Sequence, residues 1–147
     1  MAKTWIIVAE NSRARVFETD RKNPQLREIR GFAHPEARLH EQELTSDLPG
    51  RTFDSAGQGR HAMEQDVSPK RHEAMQFAKQ LAEYLIERRR HNDFDHLGLV
   101  AAPAMLGMLR EKLDDETRKR VRFEIDKNLT RLPEQEIRAH LPTPLPH

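Results

Sequence analysis

Two short apolar runs constrain this chain most. Trp5-Ile6-Ile7-Val8-Ala9 and Leu97-Gly98-Leu99-Val100-Ala101-Ala102 are apolar without alternation, and the first is rich in β-branched residues. A half-exposed strand alternates, so runs of this kind read as strands buried on both faces. Burial on both faces requires layers above and below a sheet. Ser68 to Arg90, between the runs, supplies the strongest candidate for such a layer. Ala74, Phe77, Ala78, Leu81, Ala82 and Leu85 fall on one 3.6-residue stripe, Ser68 is a good N-cap, Pro69 suits the first helical position, and Arg88, Arg89 and Arg90 suit the negative end of the helix dipole.

The remaining elements follow. Glu10-Asn11-Ser12-Arg13 has turn chemistry, and Ala14–Glu18 then pairs back on the first strand. Asn23-Pro24 marks another turn, and Leu26–Phe32 gives a third strand of an antiparallel meander. Glu36 to Asp47 is a weakly amphipathic helix. Pro103 opens a helix with Leu106, Leu109 and Leu113 on its apolar face, and Asp114-Asp115-Glu116 starts a short charged one. Val121, Phe123 and Ile125 alternate with charged residues as a half-exposed strand, and Pro133 opens a last short helix around Ile137 and Leu141. Strands first, then alternating helix and strand, predict a single α/β domain over residues 1–141, a mixed sheet with helices on its faces. At 147 residues the chain has the length of one domain with one core. Pro142 to His147, with three prolines, is expected to fray.

Leu48 to Asp66 is a polar loop longer than the usual limit of about 12–15 residues for structureless connections. It holds three of the six glycines and leads into the long helix, so it is expected to be the most mobile internal segment, a tip presented on a firm stem. A disordered insertion is the alternative from composition alone.

Several chemistries are excluded. The chain has no cysteine, hence no disulfide, thiolate nucleophile or cysteine-zinc site. Walker and Gly-x-Ser-x-Gly motifs are absent. None of the eight histidines has His-x3-His or HExxH spacing. The turn from His91 to His96 could hold a cation, but ordinary surface polarity explains it better, and no metal or cofactor is assigned. Glu10 ends the first strand, but the strand at Leu97 ends in Ala101-Ala102-Pro103 without an acid, which argues against two-metal cleavage. The apolar run after Met1 is too short for a secretion signal or membrane span, so the expected compartment is the cytoplasm, with no membrane partner. A net charge of +1 gives no global pull toward nucleic acid. Basic residues do cluster at Lys70-Arg71-His72, Arg88-Arg89-Arg90-His91 and Arg118-Lys119-Arg120. These are either solvated faces or phosphate contacts for RNA, with Lys70, Arg71, Arg88, Arg89 and Arg90 the candidates.

Ser55-Ala56-Gly57-Gln58, followed by Lys70-Arg71-His72 on a long helix, resembles the middle domain of archaeal and eukaryotic peptide-chain release factors, where a Gly-Gly-Gln loop precedes such a helix. The wider chain is similar to the bacterial family of proteins required for attachment to host cells. The shared pattern comprises the Trp5–Glu18 hairpin, Pro49-Gly50-Arg51, Gly57-Gln58-Gly59-Arg60, the Phe77–Leu85 helix, Leu97–Pro103 and Asp126-Lys127-Asn128-Leu129-Thr130. The resemblance implies a ribonuclease-H-like domain without a metal site. It also implies a loop, Arg51 with Ala56, Gly57, Gln58, Gly59 and Arg60, that docks on the ribosome or another RNA–protein surface, with Gln58 the candidate catalytic group if there is one. Ala56 replaces the first glycine, and its Cβ disfavours a positive-φ backbone. The leading expectation is therefore a cytoplasmic RNA- or ribosome-associated binding factor. A residual peptidyl-tRNA or ester hydrolase and a surface factor acting directly in attachment are the alternatives. Oligomeric state is not legible.

Overall fold

The computed structural model describes residues 2–34 and 68–145. Among these residues one five-stranded sheet runs in the order β3-β2-β1-β4-β5. β1 (Lys3–Ala9), β2 (Arg13–Asp20) and β3 (Arg27–Ala33) form the antiparallel meander, while β4 (His96–Ala101) pairs in parallel with β1, and β5 (Val121–Ile125) in parallel with β4. The two apolar runs are thus the adjacent central strands, with Ile7 opposite Leu99 and Val8 opposite Val100. All four side chains are fully buried. The mixed α/β class expected from the sequence is the class observed, and the order is compatible with a ribonuclease-H-like sheet.

One face of the sheet is covered by α1 (Pro69–Arg90) and α2 (Pro103–Lys112). The Ser68 hydroxyl accepts the Arg71 N–H at 3.1 Å, the capping bond that its position suggested. The six stripe residues from Ala74 to Leu85 are all buried. They pack with Trp5, Ile7, Leu97 and Leu99 of the sheet and with Met105 and Leu109 of α2. α1 ends at His91, and Asn92 then takes φ 60, a left-handed turn that asparagine tolerates.

The opposite face needs its own cover, because Ile6, Val8, Phe17 and Val100 point away from α1 and α2. Leu129, Ile137 of α4 (Glu134–Ala139), Leu141 and Leu145 supply it. Leu145 is only 5% exposed, since both long helices lie on the first face and the leucines that follow β5 close the second. α3 (Asp115–Arg118) is the short charged helix expected after Asp114. The expected Glu36–Asp47 helix and Leu48–Asp66 loop, with Arg51, Ala56, Gly57, Gln58, Gly59 and Arg60, lie outside the described residues.

Candidate functional site

β1, β3, β4 and β5 point the same way, so their carboxyl ends share one edge with the Glu10–Ser12 turn. Ligands of open α/β sheets bind at that edge. Here it carries a polar network built on Glu10, whose side chain is 11% exposed. Its carboxylate accepts the Thr130 hydroxyl at 2.8 Å and the Asn128 amide at 3.1 Å. Arg13 Nε approaches Oε2 at 3.4 Å, and Arg131 Nη2 approaches the same oxygen at 3.3 Å. Asn128 Oδ1 in turn accepts the Thr130 N–H at 3.1 Å, the local turn bond typical of asparagine.

Arg15 fastens the same segment from β2. Its Nη1 donates to the Thr130 and Leu132 carbonyls at 2.9 and 2.8 Å, and its Nε and Nη2 both donate to Glu28. The guanidinium lies over the Phe17 ring, 5.0 Å from its centroid. Two clefts flank the network. One of about 210 Å³ opens between Glu10, Asn11, Ala102, Met105 and Arg131. The other, about 510 Å³, lies between Arg13, Arg15, Gly31, Thr130 and Arg131.

Both residues that bracket segment 35–67 are anchored at this edge. The His34 N–H donates to the Ser12 carbonyl at 2.9 Å, and its Nε2 meets Glu73 Oε1 at 2.8 Å, against the Phe77 ring. Ser68 caps the same end of α1. Lys70 and Arg71 therefore stand in the first turn of α1, at the same end of the sheet as His34. Arg88, Arg89 and Arg90 do not join them. Arg71 and Arg89 are 18 residues apart on one helix, so about 27 Å at 1.5 Å per residue.

At that far end the arginines serve the fold. Arg88 pairs with Asp93 at 2.9 Å. Arg89, 15% exposed, donates to the Thr117 hydroxyl at 3.0 Å and reaches Asp114 at 3.5 Å. Burial pushes the Asp114 carboxyl up, but the Thr117 hydroxyl and N–H, with Arg89 beside them, outweigh burial and hold it below its ordinary range. Arg90 is mostly exposed, 3.9 Å from Glu87. The His91–His96 turn uses its side chains in the same way: Asp95 accepts the Lys3 N–H, and His96 Nδ1 accepts from Arg122 Nε at 3.0 Å.

Sequence reasoning marked Glu10 and the Asp126–Thr130 stretch separately and did not connect them. It passed over Arg13, Arg15 and Arg131. Arg131 meets Glu10 across 121 residues and Arg15 reaches Thr130 and Leu132 across more than a hundred, beyond the reach of any local pattern, while Arg13 and Glu10 are only three residues apart.

Among the described residues no helix is long and apolar enough to cross a membrane. The family model for proteins required for attachment to host cells matches residues 5–141. No curated protein matches the chain. A solved structure described as an archaeal protein is similar at 12% identity and a TM-score of 0.46, over 86% of this chain and 30% of that one. The chain thus spans less than a third of that protein's length.

Proposed function

The chain belongs to the family of proteins required for attachment to host cells, and from that premise we propose that it is an RNA-associated binding factor that docks on the ribosome. The observation that carries the reading is the convergence at one edge of His34 and Ser68, which bracket the segment holding Gly57 and Gln58, with Lys70 and Arg71. The basic charges there would meet phosphates while the Gly57-Gln58 stretch makes the specific contact.

The likeness of Ala56-Gly57-Gln58 to the release-factor loop supports the ribosome as the source of those phosphates. Ala56 in place of the first glycine favours docking over catalysis. Attachment to host cells then follows indirectly, through the partner.

The test is co-sedimentation of the full chain with purified ribosomes at two salt concentrations. The expected result is pelleting at about 50 mM salt and release at about 200 mM, the range over which multi-phosphate contacts lose most of their affinity. Recovery in the supernatant at both would overturn the reading.

A further inference from the structure

The larger cleft lies beside the Glu10 network, on the face of the sheet opposite α1. We propose that it is an oxyanion site that takes a phosphate group, the phosphodiester of single-stranded RNA, on the guanidinium groups of Arg13 and Arg131. Arg15 is a positioning residue behind them. The site deepens the RNA reading above and rests on it for the source of the phosphate, not for the chemistry of the cleft.

The first argument is donor accounting. A guanidinium has five N–H donors. Arg15 spends its own on Glu28 and on the Thr130 and Leu132 carbonyls. Arg13 and Arg131 each make one ion-pair contact, at 3.4 and 3.3 Å, both to Oε2 of Glu10. Charge-assisted bonds are typically about 2.7–2.9 Å, and Glu10 already accepts from Thr130 and Asn128. Arg13 Nε is buried without a hydrogen-bond partner. The two forks therefore meet at the same Glu10 oxygen with side chains 40% and 72% exposed, and neither makes a further polar contact among the described residues. A phosphodiester has two non-bridging oxygens, one for each fork, and planar guanidinium groups suit them.

The second argument is Gly31. A glycine inside a strand costs about 0.5–1 kcal/mol against alanine, so its place calls for a reason. The backbone gives none, because no described glycine has positive φ. Packing gives none either, since a Cβ there would meet nothing nearer than Glu28 Oε2 at 3.9 Å. Gly31 stands opposite Arg15 in the β2–β3 register and lines the cleft. Any side chain there would occupy the space that a ligand needs, and glycine in a strand often marks such a close approach.

The third argument is rigidity. Arg131 follows directly on Thr130, which is buried and tied to Glu10. The Thr130 carbonyl is tied to Arg15. The Asp126–Thr130 stretch thereby acquires a task, to set Arg131 against Arg13.

The test uses isotope-labelled full chain and follows the arginine Nε–Hε signals during titration with inorganic phosphate and, separately, with a short single-stranded oligouridine. Both ligands should shift the Arg13 and Arg131 signals. Arg13→Gln and Arg131→Gln should each weaken oligouridine binding about tenfold or more. Gly31→Leu should block the cleft, and Lys22→Gln, in the β2–β3 turn, should not alter the shifts. Thermal melting confirms that each variant is folded, and the Gln variants decide if Gly31→Leu is not. Shifts with phosphate but not with RNA would overturn RNA as the source of the phosphate at this cleft, while the ribosome reading would still stand or fall by co-sedimentation. RNA bound equally by wild type and all cleft variants would keep that reading and overturn the cleft. No shift with either ligand overturns the site.

Discussion

The Thr130 hydroxyl donates to the Glu10 carboxylate at 2.8 Å across 120 residues of chain. It joins the turn after the first strand to the segment after the last, at the edge where ligands of such sheets bind. Thr130 is buried, so losing its hydroxyl removes a bond to a charged group that water cannot replace. Thr130→Val should destabilise the protein by about 1.5–3 kcal/mol. In a double-mutant cycle with Glu10→Gln, measured by urea unfolding, the two positions should couple by about 0.5–3 kcal/mol. Additive losses would mean that the contact carries no energy of its own.

Gly98 and Phe123 make a steric pair between β4 and β5. A Cβ on Gly98 would fall 2.2 Å from the Phe123 ring. The ring occupies the space that an alanine methyl would need, and the strands shift register just before Gly98. Gly98→Ala should cost about 1–3 kcal/mol by overpacking. The cost should shrink in a Phe123→Leu background, as read from paired urea midpoints, because the smaller side chain can give way.

Asp114 gives a pH signature. Its folded carboxyl titrates below the ordinary value, so it contributes stability above its unfolded pKa of about 3.9, lost as pH falls through the depressed folded value. It also caps α3 through the Thr117 N–H at 2.9 Å. Asp114→Ala should cost about 0.5–2 kcal/mol at neutral pH. The gap from wild type should narrow below about pH 4. Urea unfolding at pH 7 and pH 3 checks both the cost and its sign. A gap that widened in acid would contradict the assignment.

Local pattern revealed those parts of the fold that local physics decides. Trp5–Ala9 and Leu97–Ala102 announced the sheet centre because a strand buried on both faces cannot alternate. Phe77 and its stripe announced the face of α1, where every stripe residue is buried. The second core was not legible. Leu129, Leu141 and Leu145 are isolated leucines in polar, proline-rich sequence, and only the bare face of the sheet explains their burial. The candidate site failed for a related reason. Arg88 and Arg89 looked like a basic patch by composition, yet acids from later elements meet them. Arg13 and Arg131 looked like ordinary surface charge, yet one carboxylate draws them together.

Gln58 lies outside the described residues, and its role is decided by chemistry. A catalytic glutamine would hold water against the peptidyl-tRNA ester, and its loss would lower the rate about 100–1000-fold with little change in binding. A docking glutamine would lower affinity instead. Ala56 makes docking the expected role, so wild type should release no peptide from peptidyl-tRNA on purified ribosomes above background. Gln58→Ala should weaken ribosome pelleting. Release by wild type that disappears in Gln58→Ala would make this protein an enzyme. Activity appearing only in Ala56→Gly would place the block at the first loop position.

The two ends of α1 should separate binding from stability. Arg71 is exposed in the first turn, beside the edge that carries both clefts. Arg89 is drawn into the fold by Thr117 and Asp114 at the other end. If RNA binds at the carboxyl edge, Arg71→Gln removes one phosphate contact. The slope of log affinity against log salt should then fall by about 0.7, the value for single strands. Stability should barely change, since the side chain is exposed and the substitution keeps the Arg71 N–H that Ser68 caps, so it should stay within about 0.5 kcal/mol. Arg89→Gln should do the reverse. It leaves the partly buried Asp114 without its cation, so unfolding should become easier by about 1–3 kcal/mol while the salt slope stays at the wild-type value. Anisotropy titrations with labelled oligouridine at several salt concentrations, paired with urea unfolding of the same samples, give both quantities. Equal slope losses from the two variants would mean that RNA runs the full length of α1, and the carboxyl edge would lose its claim to be the binding site.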